Sequence, residues 1–159
     1  MIRVGTGYDI HRLEAGLPCI IGGVAIPHPA GLSGHSDADV LLHALADALL
    51  GALGLGDIGK YFPEDDPKWK GVSSLILLSD VAKRIVEARF RVVNIDTVVI
   101  AEAPRIAPYV PKMRRNICDA VAIAQEQVNI KATTHERIGS IGRGEGIAAM
   151  AVCLLEQAS

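Results

Sequence analysis

The segment that most constrains the fold of this chain is an apolar stretch with helical spacing. Its apolar residues recur three and four positions apart, at Val40, Leu41, Ala44, Leu45, Ala48 and Leu49. Ser36 or Asp37 can cap the start of this helix, which runs through Leu53 until Gly54 and Gly56 end it. The spacing predicts an amphipathic helix, whose apolar face needs another layer of structure to pack against.

Strand patterns flank this helix on both sides. Alternating or β-branched apolar residues predict strands over the first dozen residues and over Cys19 to Ile26, Arg91 to Glu102, Val128 to Thr133 and Gly146 to Glu156. Two more helices are predicted, one from Ser73 or Ser74 to about Arg89 and one that begins at Pro111. The order of elements predicts a single α/β domain over residues 1–159, an α+β sandwich with one mixed sheet and helices packed on one face.

Composition argues against several classes of partner. The chain has 159 residues, 16 Lys and Arg against 18 Asp and Glu, a net charge of −2 and 4% aromatic residues. It therefore lacks the basic groove and the stacking rings that nucleic-acid binding needs. No apolar run reaches the roughly 18 residues that cross a bilayer, and the start MIRVGTGYDIHRL has no targeting pattern. We expect a soluble, cytoplasmic protein.

The cysteines and the apolar content suggest how the surface is used. Cys19, Cys118 and Cys153 are far apart and have apolar neighbours, which favours buried free thiols over disulfides or a cysteine-based zinc site. Half of the residues are hydrophobic, a high fraction for a lone domain of this size. This excess predicts apolar surface that other copies of the chain cover, and hence a homo-oligomer.

A possible metal site combines the first strand with the first long helix. Asp9 and His11 are two residues apart in a strand, so their side chains point to the same side. His43 lies in an otherwise apolar helix, where a histidine needs a partner. Together the three residues would form a His₂-carboxylate site with an open position, which suits catalytic zinc. The alternative is a core histidine bonded to a backbone carbonyl, with an aspartate that caps a turn.

Two acids are candidates for orienting His43. Asp39 and Asp47 lie four residues on either side of it, on the same face of the helix. Either is placed to accept the proton on the free ring nitrogen and so hold the tautomer that a metal requires. The alternative is that both are solvated helix acids.

Three polar segments are candidate contacts to phosphate or to a cation. His35 and Ser36 precede a helix start, whose free N–H groups favour anions. Arg143 lies in the glycine-rich run Gly142 to Gly146, which lacks the ending of a P-loop. Residues 133–136 offer hydroxyls and a carboxylate that suit a second divalent ion bridging phosphates. Each segment has a plain alternative as a cap or a tight turn.

Two familiar kinds of site are not indicated. Gly5-Thr-Gly7 is not followed by the third glycine and the helix that a dinucleotide-binding site requires. No Ser or Cys has a base beside it in the sequence, so the pattern favours metal-assisted chemistry over covalent catalysis.

Five longer motifs run through nearly the whole chain. They are GYDIHRL, IIGGVAIP, GHSDADVLLHALADALLGALGLGDIGKYFP, AEAPRIAPYVPKM and KATTHERIGSIGRGEGIAA. In this order and at these separations, they closely resemble the 2-C-methyl-D-erythritol 2,4-cyclodiphosphate synthase family of the non-mevalonate isoprenoid pathway. The resemblance implies a metal-dependent phosphorus–oxygen lyase that assembles as a homotrimer, with three active sites between neighbouring subunits.

The resemblance also implies the reaction. The 2-phosphate of 4-diphosphocytidyl-2-C-methyl-D-erythritol 2-phosphate attacks the β-phosphorus of the diphosphate and releases CMP, which leaves 2-C-methyl-D-erythritol 2,4-cyclodiphosphate. Because the substrate carries its own nucleophile, the protein has mainly to position it and to neutralise charge on the phosphates.

By resemblance, two metal sites and a set of substrate contacts fall on named residues. Asp9, His11 and His43 match the ligands of Zn²⁺ or another divalent cation, and Glu136 matches the ligand of a Mg²⁺ or Mn²⁺ that bridges the substrate phosphates. The positions that match substrate contacts are Asp9, His11, His35, Ser36, Asp57, Ile58, Gly59, Phe62, Pro63, Glu64, Asp65, Asp66, Ala101, Glu102, Ala103, Pro104, Arg105, Ile106, Ala107, Thr133, Thr134, His135, Glu136 and Arg143.

Within this set the resemblance distinguishes several roles. His35 and Thr134 match stabilisers of the transition state, and Ser36 matches a phosphate contact. Residues 57 and 59 match contacts to the methylerythritol hydroxyls, and residues 62–66 match a mobile cover over the substrate. The stretch 101–107 matches the cytidine pocket, to which residue 133 contributes, and residue 143 lies near phosphate.

Two residues depart from the family pattern. His135 stands where threonine is usual, and Ser140 stands where phenylalanine is usual. The phenylalanine belongs to an apolar cavity on the trimer axis, so Ser140 weakens the expectation that isoprenoid diphosphates bind there, although Ile141 restores part of that surface. His135 either perturbs magnesium affinity at Glu136 or points to solvent, and we favour solvent.

Two other functions compete with cyclisation. A zinc phosphohydrolase would use the same three ligands to activate water. A non-catalytic trimer would bind cytidine nucleotides or isoprenoid diphosphates without turning them over. The intact set Asp9, His11, His43 and Glu136 argues against such a loss of catalysis.

Overall fold

The computed structural model describes residues 1–158, and a five-stranded mixed sheet organises them. The strands are β1 (Ile2–Ala15), β2 (Cys19–Ile21), β3 (Val24–Ile26), β4 (Ala30–Ser33), β5 (Phe90–Ile100), β6 (Val128–Thr133) and β7 (Gly146–Gln157). The order in the sheet is β4-β1-β7-β5-β6, in which β5 and β6 are parallel and the other neighbours are antiparallel. The predicted mixed sheet is therefore confirmed.

Helices cover one face of this sheet. They are α1 (Val40–Leu53), α2 (Ile58–Tyr61), α3 (Ser74–Glu87), α4 (Val110–Val121) and α5 (Gly139–Gly142). Helix α1 packs on β1 and β7, α3 packs on α1 and β5, and α4 packs on α3 and β6. The hydrophobic core lies between these helices and the sheet, as the apolar spacing of α1 predicts.

Helix α1 lies directly against strand β1 because two glycines remove the side chains between them. A Cβ atom on Gly5 would lie 1.9 Å from the Ala48 carbonyl oxygen, and one on Gly7 would lie 1.9 Å from the Ala44 carbonyl oxygen. Any side chain at either position would push the helix away. Gly5 and Gly7, which do not form a dinucleotide-binding motif, therefore allow close packing of α1 on β1. This packing brings the middle of α1 next to the strand that carries Asp9 and His11.

The start of α1 differs from the prediction. The helix is capped by Asp39 rather than by Ser36 or Asp37, and the fully buried Asp39 carboxylate accepts a backbone amide of the first helical turn at 3.2 Å. The same carboxylate accepts the amides of Gly22 and Gly23 at 2.9 and 2.6 Å. One side chain therefore caps the helix and closes the turn between β2 and β3.

The segment 19–26 is this hairpin rather than the single strand predicted. Gly22 and Gly23 both have positive φ values, 60° and 68°, which reverse the chain between two three-residue strands. Strand β4 was not predicted, because its four residues lie among glycines and prolines that indicate a loop.

The three cysteines are buried and free, as predicted. Burial raises the pKa of the Cys19 and Cys153 thiols to about 11. Both thiols are therefore protonated at neutral pH and are poor nucleophiles.

On the face of the sheet opposite the helices, strands β1 and β7 expose a row of apolar side chains. These side chains are Ile2, Val4, Tyr8, Ile10, Met150 and Val152. The homo-oligomer that would cover this face stays a prediction. Among residues 1–158, none of the helices combines the length and the apolar character that crossing a membrane demands.

Candidate active site and metal centre

Asp9, His11 and His43 bring three metal-ligating atoms to one point. Asp9 Oδ2 lies 2.9 Å from His11 Nε2 and 3.1 Å from His43 Nδ1, and the two ring nitrogens are 3.1 Å apart. The convergence predicted from the spacing of these residues is confirmed. The alternative of a core histidine bonded to a backbone carbonyl is wrong, since both ring nitrogens of His43 face side-chain groups.

This set of donor atoms fits a divalent cation. A tetrahedral zinc with bonds of roughly 2.0–2.1 Å places neighbouring ligand atoms roughly 3.3 Å apart, which is close to the separations found here. Burial alone would raise the pKa of Asp9, but the adjacent imidazoles of His11 and His43 outweigh burial and hold that pKa well below its usual range. The carboxylate is therefore ionised at neutral pH.

The main chain fixes the ring of His11. Its Nδ1 lies 2.8 Å from the Ser33 carbonyl oxygen, and because a carbonyl only accepts, Nδ1 carries the proton. In the neutral ring, Nε2 then presents its lone pair to the cluster. Gly34 leaves room for the ring, since a Cβ atom there would lie 2.9 Å from His11 Cε1.

Neither acid predicted to orient His43 does so. The Asp39 carboxylate is taken up by backbone amides, and Asp47 Oδ1 accepts the amide of Ile58 at 2.8 Å. His43 Nε2 instead faces the hydroxyls of Ser74 at 2.9 Å and Ser36 at 3.0 Å. The prediction is wrong because both carboxylates are engaged by backbone amides, those of the β2–β3 turn and the first turn of α1 for Asp39 and that of Ile58 for Asp47.

A cleft of about 120 Å³ opens beside the three ligands. Its other lining residues include six that were predicted, namely His35, Ser36, Ile58, Gly59, Phe62 and Glu64. The buried Phe62 ring packs edge-on against Trp69, with ring centroids 4.9 Å apart, and His35 Nε2 faces the Asp66 carbonyl oxygen at 3.1 Å. Residues 62–66 therefore close one side of the cleft, and their mobility stays a prediction.

A second group of predicted residues lies at the ends of β5 and β6. They line a cavity of about 490 Å³ and are Ala101, Glu102, Pro104, Arg105, Ile106, Ala107, Thr133 and Thr134. Ala103 precedes Pro104 in the same loop, through a cis peptide bond. Glu102 Oε1 accepts the amides of His135 and Arg137 at 2.8 and 3.2 Å. The acidic side chain thus holds the turn that follows β6.

Glu136 lies in the turn after β6, next to this second group, and is not among the residues that line the cavity. Its Oε1 accepts a hydrogen bond from the Thr134 hydroxyl at 3.2 Å. Across the sheet, Ile10 pairs with Ala148, Ala148 with Ile100, and Ile100 with Thr133. Three strand spacings therefore separate the metal ligands on β1 from the end of β6, or roughly 14 Å. Within one chain, the two groups form separate half-sites.

The remaining predicted residues are mostly exposed. Asp57 caps α2, and Arg143 Nε donates to Glu145 at 2.7 Å. Pro63 and Asp65 lie in the loop between Phe62 and Asp66. His135 is exposed, and its ring Nδ1 faces the Ile138 carbonyl oxygen at 3.0 Å. That it leaves magnesium affinity at Glu136 unchanged stays a prediction.

Comparison with known proteins places this arrangement in a family. The sequence profile of the YgbB family matches residues 2–156. The chain belongs to the YgbB family. A relative from Alkaliphilus metalliredigens, a 2-C-methyl-D-erythritol 2,4-cyclodiphosphate synthase, is 59% identical over 156 residues, which cover 98% of each chain. The family predicted from the motifs is confirmed.

Solved structures share the fold as well. The bifunctional IspDF from Campylobacter jejuni matches with a TM-score of 0.95 and 39% identity, over 99% of this chain and 42% of that one. The IspF–CDP complex from Plasmodium falciparum matches with a TM-score of 0.88 and 34% identity, over 99% of this chain and 97% of that one.

The YgbB site also contains residues that sequence reasoning missed. Ser74 contacts His43 although 31 positions separate them, and Trp69 and Leu77 line the metal cleft. In the sequence, Ser74 is only a candidate helix start, and no local pattern signals its contact with an imidazole. Aromatic and aliphatic residues such as Trp69 and Leu77 carry no signal that separates cleft from core.

Proposed function

We propose that this chain is a 2-C-methyl-D-erythritol 2,4-cyclodiphosphate synthase, a phosphorus–oxygen lyase that makes isoprenoid precursors. It converts 4-diphosphocytidyl-2-C-methyl-D-erythritol 2-phosphate to the cyclic diphosphate and CMP. Membership in the YgbB family and the 59%-identical relative of that name support the proposal. We also propose that residues 1–159 form one catalytic domain and that the enzyme works in the cytoplasm.

The observation that carries the proposal is the convergence of Asp9, His11 and His43 on one point. These residues would hold Zn²⁺ or another divalent cation, which when bound supplies positive charge for orienting the diphosphate. Asp9 contributes an ionised carboxylate. His11 contributes the lone pair of Nε2, because its other ring nitrogen, Nδ1, donates to the Ser33 carbonyl oxygen.

The other polar residues hold the phosphates for in-line attack. Ser36 lines the metal cleft and is assigned to a phosphate, while His35 and Thr134 are assigned to hydrogen bonds that strengthen as charge builds up on the phosphoryl oxygens. Glu136 would hold a Mg²⁺ or Mn²⁺ between the phosphates, and Arg143 adds a guanidinium near them. The nucleophilic oxygen comes from the substrate, so no protein nucleophile is required.

The two ends of the substrate bind to different half-sites. The loop 101–107 with Thr133 takes the cytidine, and its cavity of about 490 Å³ has the size of a small-ligand site. The complex of the Plasmodium falciparum relative with CDP supports a cytidine nucleotide there. Asp57 and Gly59 bind the methylerythritol hydroxyls, and residues 62–66 cover them.

We propose a homotrimer whose active sites lie between subunits. The roughly 14 Å between the metal ligands on β1 and the end of β6 within one chain supports this. A diphosphate bound at the metal ligands is then reached most directly by Glu136 of a neighbouring copy. The exposed apolar face of β1 and β7, with Tyr8, Ile10 and Met150, supports burial against such copies.

Phosphorus-31 NMR of the reaction mixture tests the activity. With zinc and magnesium present, the cytidyl substrate should give one cyclic diphosphate and one CMP per turnover, whereas free orthophosphate would identify a phosphohydrolase. Asp9→Asn should abolish the reaction, and Asp119→Asn, the same change at an exposed position of α4, should leave it intact. Binding of CDP without any turnover by the unchanged chain would favour a non-catalytic binding protein.

A further inference from the structure

Hydrogen bonds continue behind His43 to a second carboxylate. Ser74 Oγ lies 2.9 Å from His43 Nε2, and the Ser74 hydroxyl donates to the carboxylate of Asp37. The other oxygen of Asp37 accepts the Ser74 backbone amide at 3.0 Å. Asp37 therefore holds Ser74 at two points, and Ser74 is the residue that contacts the imidazole.

The donors and acceptors in this chain fix where the protons are. A serine hydroxyl has a single proton, and that of Ser74 is committed to Asp37. Only the lone pairs of Ser74 Oγ remain for His43, so Nε2 of the neutral ring must donate and must carry the proton. The opposite nitrogen, Nδ1, is then bare on the side of Asp9 and His11.

The surroundings protect this arrangement from solvent. Ser74 is only 1% exposed and His43 is 8% exposed, so little water reaches the contact between them. Ser36 Oγ, 3.0 Å from the same Nε2, accepts the Ala38 amide at 3.2 Å and offers a second acceptor. Ser36 also lines the cleft, so a bound phosphate competes for its hydroxyl. Ser74 has no such second task.

We infer that Ser74, held by Asp37, is a positioning residue that fixes the tautomer and the orientation of His43 toward the cation. The inference rests on the metal site of the proposed function. Hydrogen-bond partners of metal-bound histidines hold the ring in place, and their removal typically costs about 10- to 100-fold in metal affinity. The sequence interpretation gave this role to Asp39 or Asp47, which the fold uses for backbone amides instead.

The test compares Ser74→Ala with Ser73→Ala. Ser73 is the neighbouring residue, and its hydroxyl caps α3 by accepting the Leu75 amide at 3.4 Å without touching His43. Zinc affinity is measured by competition with a chromophoric chelator at pH 7.5, and folding is checked by thermal melting. Ser74→Ala should bind zinc about 10- to 100-fold more weakly than the unchanged protein, while Ser73→Ala should melt earlier but bind zinc as tightly. Ser74→Thr, which keeps the hydroxyl, should restore affinity.

Each result bears on the inference in a definite way. Equal affinity in Ser74→Ala and the unchanged protein would overturn it and leave the metal site intact, as would an equal loss in both alanine variants. Failure of the unchanged protein to bind zinc or another divalent ion would overturn both the inference and the metal site. If Ser74→Ala does not fold, nitrogen-15 NMR of the unchanged, zinc-loaded protein tests the inference instead. The inference then requires that the metal is bound at His43 Nδ1 and that the Nε2 proton exchanges slowly with solvent. Metal at Nε2, or rapid exchange, would overturn it.

Discussion

The two half-sites of this chain are built in different ways. Around the metal ligands, the side chains are largely enclosed, and each ring nitrogen has a defined partner, such as Ser33 for His11 and Ser74 for His43. Around Glu136, the loops are exposed, and one acid, Glu102, holds the turn through two backbone amides. The half-site that we propose for the cation (the metal half: Asp9, His11 and His43) is enclosed within a single chain. The half-site that we propose for the nucleotide (the nucleotide half: residues 101–107 and 133–136) offers open surface.

This difference indicates which half depends on the fold and which on the ligand or a neighbour. The metal half is positioned by α1, which packs against β1 in the hydrophobic core. The nucleotide half is held by a few exposed contacts, chiefly the two backbone amides that Glu102 accepts. Changes at Asp9, His11 or His43 should therefore remove metal and activity together, and changes in the loop 101–107 should mainly weaken nucleotide binding.

Removal of a metal ligand should have the largest effect. We expect His43→Ala to lose turnover and zinc together, with zinc affinity reduced more than 100-fold, beyond the roughly 10- to 100-fold cost of losing a partner of a ligand. Metal analysis and phosphorus-31 NMR on the same sample provide the measurement. A variant that turned over at the original rate without metal would contradict the assignment.

Separation of α1 from β1 should have the next largest effect. Gly7→Ala places a methyl group 1.9 Å from the Ala44 carbonyl oxygen, which is backbone and cannot rotate away. We expect a loss of about 3 kcal/mol or more in the free energy of unfolding, together with weaker zinc binding. Urea denaturation and a zinc titration measure the two effects. Gly54→Ala is the contrasting case, since nothing lies within 4 Å of its added Cβ atom, although its positive φ still imposes some strain.

Acidification should affect the metal-free and zinc-loaded proteins in opposite directions. Burial would lower the pKa of His11, but hydrogen bonding to Asp9 and the charge of Asp9 outweigh burial and raise it above its usual value. Because the pKa of His11 is higher in the folded protein than in the unfolded chain, protonation of His11 stabilises the metal-free fold. This contribution is complete below the pKa of the unfolded chain, and it is lost as the pH rises through the pKa of the folded protein. Zinc requires the neutral ring, so zinc affinity falls as the pH falls through the same range.

Melting curves at pH 6 and pH 8, with and without zinc, measure both trends. We expect zinc to raise the melting temperature more at pH 8 than at pH 6. An equal increase at both pH values would show that His11 is not a ligand that competes with protons.

Loosening of the nucleotide half should have the smallest effect on the fold. Glu102→Ala removes the acceptor for two amides in an exposed turn, and we expect it to cost about 1 kcal/mol in the free energy of unfolding. Zinc affinity should not change, while CDP affinity, measured by calorimetry, should fall. Loss of zinc in this variant would show that the two half-sites are not independent.

The sequence predicts those parts of the molecule in which local pattern and tertiary packing agree. Strand β6 occupies the predicted residues Val128 to Thr133, and Ser73 caps α3. The convergence of Asp9 and His11 was also predictable, because strand alternation brings their side chains to one side of the sheet. The hairpin at Gly22 was not predicted, since the two glycines break a run of apolar residues that looks like one strand.

Long-range hydrogen bonds were the least predictable part of the site. Helical spacing places Asp39 and Asp47 near His43, but it does not show that loop amides compete for their carboxylates. The partner that does bind His43 comes from a different helix, and only the packing of α3 against α1 brings Ser74 to it.

The most direct test of the central claim is the divalent metal content of the purified protein. The geometry of Asp9, His11 and His43 predicts about one equivalent of zinc, or of another divalent cation, per chain. Elemental analysis of the unchanged protein, beside Asp9→Asn as a control, should find that equivalent in the first and none in the second. An unchanged protein that neither contains nor binds a divalent cation, yet still cyclises the substrate, would contradict the account.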